Sequence, residues 1–435
     1  MKTVSKENIE LFKERMRDIF KEQSDDFFKM MEKKVRSGFI INTKKGNKED
    51  ILKVIDLDHE IYPLNENAFY SNEESIGKTK AYELGLIYPQ EPSASLPALL
   101  PRVEGKKVIV DLCAAPGGKT AGIINRADED AFILANDFSY HRAQILSSNM
   151  ERLGHENVVV TSSSVNKIAD VLEKQVELVM LDAPCSGEGM IRKYPEILEE
   201  YSIKNIELCA NRQKELIEEA YRLLKPGAEL LYSTCTYSKE EDEELINEFL
   251  KNHHDMHLIA IKDNEYFIKM SFLDDSEGQF MCLLKKDGEL IHEPLSLKLK
   301  KETNNKIFID FMHKYTDIKD GYYYEDEGRC LFSFKPLYQF PFSVLRNGIY
   351  AGDISKKVFL PSHSLYRDNQ LSSHFKDSIE LNDEEYLKYV KGLEIDSNGD
   401  DGYYLLTWHG YPLGFSKRVM HRLKNKYPKG LRRMV

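Results

Sequence analysis

Cysteine is scarce and scattered: the chain of 435 residues has six, at 113, 185, 209, 235, 282 and 330, and no two form a CxxC pair. That spacing excludes a disulfide framework and a zinc ribbon, so free thiols in a reducing compartment are expected and a metal centre is not. Long apolar runs are missing as well. None approaches the ~18 residues a bilayer span needs, and the opening MKTVSKENIELFKERMRD is charged where a signal peptide would be apolar. A cytoplasmic location with no membrane contact is the expectation. The chain also lacks an excess of basic residues, carrying a formal net charge of -11. Indiscriminate binding of a polyanion is thereby excluded, because it requires a basic surface, and any nucleic-acid contact must be local.

What is present is globular. Apolar residues make up 41% and charged residues 31%, which is too apolar for a disordered chain, and the length exceeds what one core serves, so two or three domains are expected. Residues 5–35 read as helix, with Ile9, Phe12, Met16, Ile19 and Phe20 near one face. Residues 36–100 mix short apolar runs with turn residues, which makes 1–100 a small α+β unit. From 101 to 288 the runs KKVIVDL, AFILAND, NVVVTSS, ELVMLDAP and AELLYSTC alternate with helical patterns, the mark of an α/β domain with parallel strands and crossover helices. Residues 289–301 are polar and lysine-rich, a linker by composition. A third region, 302–435, opens with the helical KIFIDFMHKY and continues in short strands and turns, so a mostly β module is expected. In its last stretch Lys417, Arg418, Arg422, Lys424, Lys426, Lys429, Arg432 and Arg433 follow one another with no acid between them. This tail is either a clamp for a phosphate backbone or the solvated basic end of a helix.

Three motifs carry chemistry. In VIVDLCAAPGGKT a strand runs into a loop of small residues, Cys113, Ala114, Ala115, Pro116, Gly117, Gly118 and Lys119, and then into a helix. Glycine permits positive φ and close backbone approach to a ligand at a helix N-terminus. The loop misses the GxxxxGK[ST] pattern by one position, having Cys113 where glycine is required, and GxGxxG is absent, so neither a triphosphate nor a dinucleotide is indicated. Asp137 closes the next strand, where an acid can accept both ribose hydroxyls. Loop and acid together read as an adenosine site without phosphates, for which S-adenosylmethionine is the common ligand; a plain strand-to-helix turn is the alternative.

In LVMLDAPCSGEGM the residues Asp182, Pro184 and Cys185 stand at the carboxyl end of a strand, and in LLYSTCTYSKEEDE a second thiol, Cys235, stands at another. Open α/β sheets bind ligands along that edge. Two thiols there suit a pyrimidine substrate. Carbon 5 of cytosine is too electron-poor to attack a methyl donor, but a thiolate added at carbon 6 makes an enamine that can, and protonation of ring nitrogen 3 by a carboxyl such as Asp182 favours the addition. Which thiol attacks is left open by the residues, and two packed core cysteines are the competing reading.

With CAAPGGKT, LDAPCSGEGM and STCTYSKEEDE in that order, the chain closely resembles the Sun-type RNA cytosine-C5 methyltransferases. Within them it is most similar to the bacterial RsmF group that modifies 16S ribosomal RNA. RSGFIINT, YPQEPSASLPALL, RNGIYAGDISKKVFLPSHSL and GYPLGFSKRVMHRLKNKYPKGLRR also fit, so the resemblance spans nearly the whole chain. It implies a Rossmann-like methyltransferase core with two RNA-handling flanks, the C-terminal one PUA-like, S-adenosylmethionine as cofactor, and 16S RNA in the small ribosomal subunit as partner. It assigns the nucleophile to Cys235 and product release to Cys185, and lines the cofactor and base pocket with residues 113–119, Asp137 and Asp182. The tail cations Lys417, Arg418, Lys424, Lys426, Arg432 and Arg433 are the candidate RNA contacts. Two positions depart from the family pattern: Ser164 stands where many relatives have an acid near the adenine, and Gln279 stands where many have histidine. Transfer RNA as substrate, or a ribosome-assembly factor without catalysis, are the alternatives.

Overall fold

The computed structural model describes residues 5–73, 75–261 and 264–432; Arg433, the last cation of the basic tail, lies outside the described residues. The N-terminal helical pattern folds as two helices. Helix α1 (Lys6–Phe20) is capped by the Ser5 hydroxyl, which accepts from the Asn8 N–H, and it ends where Lys21 adopts a φ of 47°. A single 3-10 turn leads to α2 (Ser24–Met31). The break lets Phe20 stack on Phe27 at 4.2 Å. Phe12, Met16 and Phe27 are then buried with Ile191, Leu198, Tyr201 and Phe272. The apolar face is thus a packing surface, and it packs on residues far along the chain.

A small antiparallel sheet follows. Its strands are β1 (Ser37–Ile41), β2 (Glu60–Tyr62), β3 (Asn65–Ser71) and β4 (Ile87–Pro89), ordered β2-β3-β1-β4, with helices α3 (Lys48–Val54) and α4 (Lys80–Glu83) between them. Phe39, Ile41, Phe69 and Leu84 share one apolar core with Tyr386, Trp408 and Leu413. The two ends of the chain are therefore packed against each other.

The central domain alternates β5 (Val108–Asp111), α5 (Gly118–Arg126), β6 (Phe132–Asn136), α6 (Tyr140–Leu153), β7 (Val158–Ser162), α7 (Val165–Leu172), β8 (Val176–Asp182), α8 (Ile203–Leu223), β9 (Leu224–Thr234) and α9 (Glu243–Asn252). It closes with β10 (Met256–Leu258), β11 (Phe267–Met270) and β12 (Gln279–Lys286). Strands β7-β6-β5-β8-β9 are parallel and β12 joins β9 antiparallel, with Phe280 opposite Thr234. Helices cover both faces, so strands such as VIVD are buried along their whole length and show no alternation. The strand order reverses between β5 and β8, which opens a crevice at their carboxyl ends. This is a Rossmann-like core.

Beyond β12 the chain forms no regular element until α10 (Lys306–Tyr315), yet the stretch expected as a linker is fastened down. Leu290, Leu295 and Leu297 pack on the central core, the Lys225 ammonium donates to the Ile291 carbonyl at 3.0 Å, and His292 sits 3.0 Å from Glu177. The polar composition concealed three leucines that make it a strap. The region after it holds two sheets rather than one. The first joins β13 (Tyr322–Asp326), β14 (Arg329–Ser333), β16 (Ile349–Ser355) and β17 (Val358–Pro361). Strand β15 (Ser343–Arg346) leaves this region and pairs antiparallel with β7 at the edge of the central sheet. After α11 (His363–Arg367) and α12 (Asn369–Ser372), the second sheet holds β18 (Ser378–Glu380), β19 (Ile395–Asp396), β20 (Gly402–Trp408), β21 (Tyr411–Val419) and β22 (Arg422–Asn425), with α13 (Asp383–Val390) beside it.

The N-terminal sheet meets the central domain at Gly85. Its φ is 71°, and a Cβ there would collide with the Arg152 carbonyl oxygen of α6. Gly85→Ala is expected to lower stability in urea by about 2 kcal/mol or more, the sum of a left-handed penalty of roughly 1 kcal/mol and overpacking of roughly 1–3 kcal/mol. Limited proteolysis should then cleave residues 37–92 first, and cleavage unchanged from the parent would refute this account of the junction.

Candidate active site

The loop after β5 is held from three sides. The Ala114 N–H donates to the Asn136 carbonyl at 2.7 Å, and the Asn136 amide donates to the Leu112 and Ser163 carbonyls at 3.1 and 3.0 Å. Asn136 thus ties together the loop and the ends of two strands, a role that nothing in its sequence setting announced. Gly117 has a φ of 114°, and its missing Cβ leaves room for Met150 and Leu146 of α6, while Gly118 faces the side-chain amide of Gln90. The two glycines are therefore required by protein packing as well as by any ligand. Asp111, buried behind the loop, accepts from the Thr120 hydroxyl at 2.6 Å, and burial pushes its pKa up to about 7. Cys113 is half-buried, and burial pushes its thiol pKa up too.

Asp137 closes β6 as a buried carboxylate, and burial raises its pKa. Its Oδ1 accepts from the Ser139 N–H at 2.9 Å; Arg142 lies 3.3 Å from Oδ2, but that oxygen accepts no hydrogen bond. A buried acceptor left open beside the glycine loop is what an adenosine ribose would satisfy, so these residues fit an adenosine-bearing cofactor. Ser164 caps α7 by position without a side-chain hydrogen bond.

The thiols come together. Cys185 Sγ lies 3.0 Å from Cys235 Sγ and accepts from the Cys235 N–H at 3.3 Å. Both residues are half-buried, neither sealed nor fully exposed. The contact with Cys235, and then burial, raises the Cys185 pKa well above the usual thiol value. Next to them Asp182 accepts from the Lys119 ammonium at 2.8 Å and from the Ser233 hydroxyl at 2.7 Å. Burial would lower the Lys119 pKa, but the Asp182 carboxylate outweighs it and holds the pKa above the ordinary lysine value. Loop, second strand and both thiol strands therefore share one edge.

Three buried carboxylates that the sequence reading passed over hold the thiol loops in place. Glu188 accepts from the Tyr201 hydroxyl at 2.5 Å, the Thr236 hydroxyl at 3.0 Å and the Tyr237 N–H at 3.1 Å. Glu241 accepts from the Ser186 N–H at 3.0 Å and the Gln213 amide at 2.8 Å, and Asp242 accepts from the Thr234 hydroxyl at 2.7 Å. Glu188 and Ser186 follow Cys185, whereas Thr234, Thr236, Glu241 and Asp242 flank Cys235, so the bonds stitch one loop to the other. Within the acidic run KEEDE, Glu241 and Asp242 are fully buried. Gln279 is buried too, and its amide donates to the Thr234 carbonyl at 2.6 Å.

The basic tail is a β-hairpin, β21 and β22, rather than a helix. Sheet pairing places Asp396 opposite Arg422, so acids absent from the run itself arrive from a neighbouring strand. Lys424 reaches Glu394 at 3.0 Å, and Arg422 reaches Asp396 at 3.3 Å. Arg418 is buried and donates to the Ser397 hydroxyl at 2.8 Å beneath the Tyr404 ring. The Lys417 ammonium lies 5.4 Å from the Tyr403 ring centroid, and Arg432 donates to the Tyr427 carbonyl. Lys426 and Lys429 are exposed.

Comparison with known proteins agrees with this architecture. The family model described as 16S rRNA methyltransferase RsmB/F matches residues 98–281; the N-terminal domain of 16S rRNA methyltransferase RsmF matches 10–92; and the methyltransferase RsmF PUA domain matches 376–433. Over these three stretches the chain is similar to the RsmB/F methyltransferases. Ribosomal RNA small subunit methyltransferase F of Escherichia coli O6:H1 is 29% identical over 94% of this chain and 92% of its own, and the protein of that name from Shewanella woodyi is 29% identical with the same coverage. Among solved structures, a methyltransferase homolog protein from Pyrococcus horikoshii is 29% identical, covering 63% of this chain and 94% of its own, with a TM-score of 0.55. The PUA match falls on the second C-terminal sheet, leaving the first sheet and β15 outside it. Among the described residues no helix is long and apolar enough to cross a membrane.

Burial pushes the Glu241 pKa up to about 7. Between the unfolded carboxyl value, near 4.3, and 7 the folded protein keeps a proton that the unfolded chain releases, so stability falls as pH rises through that window. Glu241→Gln should flatten this fall by on the order of 3 kcal/mol. Urea unfolding of parent and variant at pH 5 and pH 7.5 checks it, and parallel pH curves would show that Glu241 is ionised in the folded protein throughout.

Proposed function

We propose that this protein transfers the methyl group of S-adenosylmethionine to carbon 5 of cytosine in 16S ribosomal RNA, through a transient bond between Cys235 and carbon 6 of the base. The observation that carries the reading is the pair of sulfurs 3.0 Å apart at the sheet edge that also holds the glycine loop and Asp137. The cofactor supplies an electrophilic methyl at that edge. Residues 113–119 and Asp137 hold it there, with the open oxygen of Asp137 taking ribose hydroxyls.

The remaining roles follow from the side chains. Contact with Cys235 and burial raise the Cys185 pKa, which supports the order that the family resemblance implies, with Cys235 adding to carbon 6. Ring nitrogen 3 takes up a proton as the Cys235–carbon 6 bond forms, and the Asp182–Lys119 pair, 2.8 Å apart, is placed to supply it. Once the methyl is on carbon 5, the proton there must leave and the Cys235 sulfur must depart. Cys235 leaves as a thiolate while a base takes the carbon-5 proton, and Cys185, once it has given up its own proton, is the neighbouring group for that role. A target base inside structured RNA must first be unstacked, at a cost of a few kcal/mol that contacts outside the crevice must offset. Exposed Lys426 and Lys429 are the tail residues best placed to meet phosphate.

Cys235→Ala is expected to abolish transfer of labelled methyl, whereas Cys185→Ala should accumulate a protein–RNA adduct that survives a denaturing gel. A Cys235→Ala protein that still methylates would refute the covalent route, and a parent protein that binds RNA without transferring methyl would be an assembly factor. Small subunits, naked 16S RNA and transfer RNA offered side by side identify the substrate; labelling of transfer RNA alone would overturn the ribosomal assignment.

A further inference from the structure

A cavity of about 790 Å³ lies away from the thiols, where all three parts of the chain meet. Its walls come from α4 and the turn before it, from the second half of α6, and from α11 with the C-terminal tail. Lys78, Arg152 and Arg367 line it, with Glu83 and Glu151 as its carboxylates. Those two are engaged elsewhere: Glu83 accepts from the Tyr386 and Tyr427 hydroxyls, and Glu151 faces Arg346.

The cations are under-compensated. Arg367 is 3% exposed and gives two of its bonds to carbonyls, those of Glu83 and Arg152, while its Nε has no partner. Arg152 donates to the Tyr82 and Ile87 carbonyls, and its Nε and Nη2 have none. Burial, with Arg367 nearby, lowers the Arg152 pKa to about 10. His363, half-buried beside them, has both ring nitrogens inaccessible and unpartnered, and burial and Arg367 hold its pKa well below the ordinary histidine value. Buried guanidinium nitrogens without an acceptor are costly, and an anion would relieve them. The volume far exceeds a phosphate ion and suits a nucleotide. Tyr82, on whose ring the Arg152 guanidinium lies 3.8 Å from the centroid, and the half-exposed Leu431 offer surface for a base and sugar. Helix α6 separates the cavity from the catalytic crevice, and Asn149, in the cavity wall, donates to the Pro116 carbonyl of the glycine loop at 2.9 Å.

We propose that this junction cavity lodges a second nucleotide of the RNA substrate, distinct from the target cytosine, with its phosphate toward Lys78, Arg152 and Arg367. The source of the nucleotide rests on the reading of the protein as an RNA methyltransferase; the site does not. The test is binding alone, so it stands apart from the fate of methyl transfer. Cytidine and adenosine 5′-monophosphates, the two nucleosides and inorganic phosphate are titrated into the full-length protein by calorimetry. The nucleotides should bind, and binding should weaken about tenfold or more in Lys78→Glu and in Arg152→Gln, as expected for loss of a charged phosphate contact, but not in Asp137→Ala, which reports on the cofactor crevice. Lys78 is exposed, so its variant keeps the test decisive if Arg152→Gln fails to fold. Inorganic phosphate binding as tightly as the nucleotides, or loss confined to Asp137→Ala, would overturn the proposal. Filter binding of 16S RNA then separates the sources: Lys78→Glu should weaken it several-fold, and unchanged RNA binding would mean that the cavity serves a free nucleotide instead.

Discussion

Glu188, a carboxylate without solvent contact, ties the loop of one sulfur to the loop of the other. It follows Cys185 by three residues and takes its hydrogen bonds from Thr236 and Tyr237, the two residues after Cys235. It also takes one from Tyr201, and Arg15 of the first helix stands 3.7 Å away. A buried carboxylate left unpaired is expensive, whereas one that is fully bonded locks every donor around it. The loops therefore cannot separate without exposing that charge. Thiol chemistry on a ring needs such a lock, because an attacking sulfur misplaced by an ångström loses much of its advantage.

The same bond network explains why the N-terminal helices pack on the central domain. Arg15 reaches Glu240 at 2.9 Å and the Ser238 hydroxyl at 3.2 Å, so α1 braces the segment just past Cys235. Phe20 and Phe27 close over Tyr237 from the same side, with ring centroids 5.3 and 5.6 Å away. The N-terminal flank, expected to handle RNA, is thus also part of the scaffold of the candidate active site. On the opposite side, β15 covers the edge of β7, which protects an otherwise open strand and ties the C-terminal region to the central sheet.

Much of this was legible in the sequence. Continuous apolar runs such as VIVD and ELVMLD announce strands buried on both faces, and the helical patterns between them fix a parallel sheet. The positions of Cys185, Cys235, Asp137 and Asp182 at strand ends follow from that sheet, because carboxyl ends share an edge. Long-range pairing was not legible. Nothing local in SVLR says that it will pair with β7, and nothing in KEEDEE separates the buried Glu241 and Asp242 from the exposed Glu244. Their burial depends on Gln213 and Thr234, which lie elsewhere in sequence. The strap at 289–301 shows the same limit: Leu295, Leu297 and Leu299 alternate with polar residues, yet nothing local says that Leu295 and Leu297 pack on the central core while Leu299 stays exposed.

Charge in the tail carries the argument one step further. A run of cations with no acid in it reads as a free electrostatic surface, but strand pairing is blind to sequence distance, and it delivers Glu394 and Asp396 to Lys424 and Arg422. Exposed pairs of this kind are worth at most about 1 kcal/mol, so they give way readily to a phosphate, which offers stronger, bidentate acceptance to a guanidinium. Arg418 is different: its bonds to Ser397 and the Asp400 carbonyl are internal, and its guanidinium lies against Tyr404. Removing it would disturb the sheet before it disturbed any ligand. The useful division among the tail cations is therefore between those held by the fold and those held only by other surface charges, and only the second group is free to trade partners with RNA.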